Sequence, residues 1–66
     1  MYVIAYMQNQ LTVNEVASEL GNNESRIEQF AGFLGLPINE SWYVNAQLIA
    51  SHCGTLAEFH RLIDAD

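Results

Sequence analysis

A chain of 66 residues makes one domain, and its 50% hydrophobic content equips it for a core and argues against disorder. Eight acidic residues face two basic ones, with no lysine, for a net charge of −6. Duplex nucleic acid draws on roughly 6–10 cationic contacts to phosphate, and Arg26 and Arg61 are the whole supply of fixed positive side chains.

An anionic membrane surface is disfavoured by the same charge. The single cysteine, Cys53, allows no disulfide within the chain and fits a reducing, cytoplasmic setting. A domain this short buries about 60% of the surface its unfolded chain exposes. Without a disulfide, a partner subunit is the natural further source of stability.

In chain order, residues 1–11 come first. Tyr2 to Met7 is apolar, has no basic residue before it, and so lacks the form of a signal peptide. It is also too short to span a bilayer. Its β-branched and aromatic content suggests a short N-terminal strand, for which Trp42-Tyr43-Val44 is the candidate partner. A first helical turn is the alternative, because periodicity does not decide short apolar runs.

Thr12 to Glu15 reads as a capping box opening a helix. Val13, Val16, Ala17 and Leu20 then follow at i, i+3, i+4 and i+7, and Gly21 stands where a left-handed C-cap is expected. Asn22 or Asn23 caps a second helix, on which Ile27, Phe30, Ala31 and Leu34 repeat the spacing. Gly35 ends it, Leu36 is placed for the apolar contact of a Schellman ending, and Pro37 forbids continuation.

A third helix is expected from about Trp42 or Val44 to His52, with Val44, Leu48, Ile49 and Cys53 inward. Gly54 breaks it, and Thr55 to Glu58 reads as a second capping box. Leu56, Phe59 and Ile63 would face inward on a fourth helix, with Leu62 beside them. Asp64 and Asp66 oppose its dipole, so its end is expected to fray. The fold class is therefore mostly α: a compact domain of three to four helices.

The stretch Val13 to Phe30 resembles a helix-turn-helix motif. Ala17 and Gly21 take the small positions, and Val16, Leu20, Ile27 and Phe30 the apolar pins, while Asn22 departs from the usual apolar residue. Leu11 to Ala17 looks like the opening of phage excisionase or MerR-type regulators. Val16 to Gly21, with Ile27 to Leu36, is similar to the small N-terminal module of bacterial translation initiation factor two. The motif implies a second helix lying in the major groove, with Asn23, Ser25, Arg26 and Gln29 as base readers. Glu24 and Glu28 on the same face oppose that role, and the motif also serves simply to pack two short helices.

His52, Cys53 and His60, with Asp64 or Glu58, have poor spacing for zinc: the first two are adjacent and point to different sides of a helix, and His60 lies beyond a glycine. Cys53 reads as a small buried hydrophobe with surface histidines around it. No phosphate loop or carboxylate pair suggests an enzyme, and so short a chain is expected to leave little room for a substrate pocket. No cofactor, metal or small-molecule substrate is expected. Tyr2, Tyr6, Met7, Trp42 and Tyr43 exceed what four short helices need for a core and form a candidate protein interface. The expectation is an acidic interaction module, a small regulator or inhibitor binding a protein partner or a second copy. DNA-binding regulation is the alternative.

Overall fold

The computed structural model describes residues 10–66, which form four helices. They are α1 (Val13–Glu19), α2 (Glu24–Phe33), α3 (Trp42–Cys53) and α4 (Leu56–Ala65). The strand-or-helix alternative for residues 1–7 lies outside the described residues. Among the described residues, extended pairing is limited to one antiparallel bridge between Gln10 and Thr55, where the Leu11 amide donates to the Gly54 carbonyl at 3.1 Å. Trp42-Tyr43-Val44, the candidate strand partner, instead opens α3. No helix among the described residues is long and apolar enough to cross a membrane.

The helix starts follow local chemistry. Thr12 Oγ1 accepts from the Glu15 amide at 3.1 Å and Glu15 Oε1 accepts from the Thr12 amide at 3.1 Å, a complete capping box. Asn23, rather than Asn22, caps α2, its Oδ1 accepting from the amides of Ser25 and Arg26. At α4 only half of the second capping box forms. Thr55 Oγ1 accepts from the Glu58 amide, but the Glu58 carboxylate turns forward to Arg61. A guanidinium fork outbids a single backbone donor, since charge-assisted pairs are stronger.

Both early helices end in Schellman motifs. After α1, the Asn22 amide reaches the Ala17 carbonyl and the Gly21 amide that of Ser18. The geometry requires left-handed backbone at Gly21 (φ 74) and continues it at Asn22 (φ 53). Asparagine tolerates that region where a branched apolar residue would not. This accounts for the polar residue at a position where the resembled motif is apolar. After α2, Leu36 and Gly35 repeat the same bonds to Ala31 and Gly32. At its far end α4 keeps its turns through Ala65, and the Asp66 amide reaches the Leu62 and Ile63 carbonyls.

Packing centres on α3. Helices α1, α2 and α4 each lie against it, and α1 and α2 meet α3 more extensively than they meet each other. Val16, Ala17 and Leu20 of the first stripe and Ile27, Phe30 and Ala31 of the second are buried as their spacing predicts. The α3 face differs from expectation. Ala46, Ile49 and Cys53 are buried together with Asn45, while Val44 is 37% exposed and Leu48 is half-buried. Ile49 and Cys53 are inward as expected, while Asn45 and Ala46 replace Val44 and Leu48 because Asn45 has hydrogen bonds to make inside. Its Oδ1 accepts from the Asn39 amide at 2.8 Å, and its Nδ2 donates to the Asn39 carbonyl at 3.0 Å. This pairing ties the α2–α3 loop to α3 and offsets the burial of an amide that is 2% exposed. Phe59 of α4 closes the core, its ring edge-to-face with Phe30 at 5.5 Å.

Candidate functional site

The loop staple places the first turn of α3 beside the first turns of α2. Between them runs a surface cleft in two lobes that share Glu24 and Trp42. One lobe, of about 190 Å³, is walled by Ala17, Asn22, Ile27 and the indole. The other, of about 150 Å³, is polar and lined by Ser25, Glu28, Glu40 and the edge of Asn45. Trp42 is 36% exposed and meets Tyr43 edge-to-face at 5.7 Å, and Tyr43 is itself 50% exposed. Ile38 and Phe33 are also exposed apolar side chains, Phe33 stacking on Phe30 at 5.8 Å.

The electrostatics of this cleft are one-sided. Glu24 and Glu28 stand one helical turn apart, and Glu40 comes from the loop to the same lobe. None of the three forms an ion pair among the described residues, where such pairs are Glu19 with His60 and Glu58 with Arg61. Arg61 is committed to a two-pronged bond with Glu58, its Nε donating to Oε1 at 2.9 Å. The guanidinium holds the Glu58 carboxyl below the usual carboxylate range, chiefly through that hydrogen bond. Arg26 is thus the described guanidinium outside an ion pair, and it lines neither lobe.

Of the sequence-predicted interface residues, Trp42 and Tyr43 lie together at this surface. Tyr2, Tyr6 and Met7 fall outside the described residues. Of the base-reader set, Ser25, Arg26 and Gln29 are exposed on α2, whereas the Asn23 acceptor is consumed in capping. Glu40, Asn45 and the cleft face of Ala17 were not singled out by sequence reasoning. Glu40 lies sixteen positions from Glu24, and no local pattern signals that a loop will bring them to one lobe.

Elsewhere, Cys53 is buried, and burial pushes its thiol pKa up, with the Glu58 charge adding to the effect. That is the opposite of an activated nucleophile. His52 is exposed, but His60 is half-buried, with Nε2 3.2 Å from Glu19 Oε1, tying α4 to α1 rather than standing at the surface. No three His, Cys, Asp or Glu side chains among the described residues converge as metal ligands would. A groove of about 590 Å³ runs between Leu11, Thr12 and Val13 on one side and Gln47, Ala50 and Ser51 on the other. Its described lining offers the hydroxyls of Thr12 and Ser51 and the amides of Gln10 and Gln47, but no general acid, base or activated nucleophile.

No family model matches the chain, and neither a curated protein nor a solved structure matches it.

Proposed function

We propose that this domain is a non-enzymatic interaction module, a small regulator or inhibitor that binds another protein chain through the cleft where α2 and α3 begin. The observation that carries the reading is Trp42, a large apolar ring left partly in water at the junction of both lobes while the core is filled by other side chains. Tryptophan and tyrosine are the residues most enriched at the energetic centres of protein interfaces. With Tyr43 beside it, the indole supplies an anchor of the kind a partner covers.

The test is Trp42→Ala, read by sedimentation of the purified chain and by quantitative comparison of proteins retained from a lysate on native and variant baits. The expected result is a defined partner, or self-association, that the variant loses while its melting curve stays cooperative. A strict monomer that retains no protein differentially removes the reading.

DNA binding is the second reading, favoured by one observation: Ser25, Arg26 and Gln29 are exposed along α2. It requires a gel shift at about 50 mM salt that Arg26→Ala abolishes.

A further inference from the structure

We infer that the partner presents a basic, amphipathic segment to this cleft, with apolar side chains entering the lobe beside Ile27 and a lysine or arginine lying over the Trp42 indole. The inference rests on the docking reading above and adds the partner's chemistry to it. Three properties of the cleft converge on that occupant. The first lobe sets the partly exposed Trp42 ring beside Ala17 and Ile27, with Asn22 and Glu24 at its polar edge. The second, sharing the indole, is flanked by Glu24, Glu28 and Glu40, none neutralised by a cation among the described residues. An indole face with carboxylates around it is the arrangement that attracts an ammonium or guanidinium group, by cation–π attraction and by charge together.

The alternative occupants fit worse. A second copy of this chain brings its own net charge of −6 to a lobe already short of counter-charge. A phosphate backbone meets three carboxylates and, among the described residues, a single guanidinium outside an ion pair. Like-charge juxtaposition excludes wrong partners as firmly as attraction selects the right one.

The experiment titrates the ¹⁵N-labelled chain with three probes: a synthetic helical peptide carrying leucines on one face and lysines on the other, its glutamate counterpart, and a random-sequence DNA duplex. The lysine peptide is expected to shift the Trp42 indole N–H and the amides opening α2 and α3. The glutamate peptide and the duplex leave them in place. Glu24→Gln/Glu28→Gln should weaken the lysine peptide at least fivefold, while Asp64→Asn/Asp66→Asn, which removes the same charge elsewhere, changes it less than twofold. Raising salt should weaken binding to the native chain, a readout that needs no variant.

The inference is overturned if both double variants weaken binding equally, if salt has no effect, or if the duplex shifts the same resonances. If Trp42→Ala abolishes capture of a natural partner but the lysine peptide ignores Glu24 and Glu28, the docking reading stands and the basic partner does not. If the peptide depends on Glu24 and Glu28 but not on Trp42, the placement of a cation over the indole is refuted.

Discussion

Replacing Asn45 by alanine isolates the pairing on which the geometry of the α2–α3 loop depends. The substitution deletes the acceptor of the Asn39 amide, at 2.8 Å, and the donor to the Asn39 carbonyl, at 3.0 Å. A buried polar group left without a partner costs about 1–3 kcal/mol. Asn39 is half-buried, so water reaches its freed groups in part, and the lower end applies to each. The sum is about 2 kcal/mol, which for a domain of this size lowers Tm by roughly 8–16 °C.

The assay is thermal unfolding followed by far-ultraviolet circular dichroism, with Asn39→Ala as the control. That control keeps both backbone groups of residue 39 paired and removes only side-chain contacts at 3.4 Å, so it should cost under about 0.5 kcal/mol. Asn45→Ala costing under about 0.5 kcal/mol, or Asn39→Ala costing as much as Asn45→Ala, would refute the reasoning.

Other perturbations have signs that follow from the structure. Gly21→Ala meets no steric neighbour but forces a side chain to φ 74, and should lose about 1–2 kcal/mol. Gly32→Ala, in open space within α2 and at ordinary helical φ, should instead gain about 0.5–1 kcal/mol. Denaturant melts of the two variants should move in opposite directions. The Glu58 carboxyl is held low by Arg61, so the stability it contributes is present above the unfolded carboxylate pKa and is lost as pH falls through its folded value. Glu58→Gln should therefore flatten the acid side of the stability profile. Cys53, buried with its thiol raised, should react with a thiol reagent only as fast as the chain opens, and denaturant should accelerate that reaction sharply.

The parts of the fold that were legible in the sequence are those written in local patterns. The stripes of α1 and α2, the Thr12 capping box and the Gly35–Leu36 ending each depend on residues within a turn or two of one another. What local pattern could not show was which residues at the start of α3 face inward. Hydrophobicity alone turns Val44 inward and Asn45 outward. The reverse is adopted because Asn45 pairs with both the N–H and the C=O of Asn39, six residues back in the chain. The candidate cleft was half legible. Trp42 and Tyr43 stood out as aromatic surplus, and Glu24 and Glu28 as an acid pair on one helix face. That Glu40 and the indole would join them is a consequence of the loop.

The reliance of three helices on a fourth bears on how the molecule comes into being. While a ribosome has delivered only α1 and α2, those two helices lack the α3 face against which each of them mainly packs. A nascent chain must therefore emerge through about Cys53 before any intermediate is worth more than its own short helices. Synthesis of this domain should be followed by one concerted collapse, with no stable half-product for a protease or a chaperone to find.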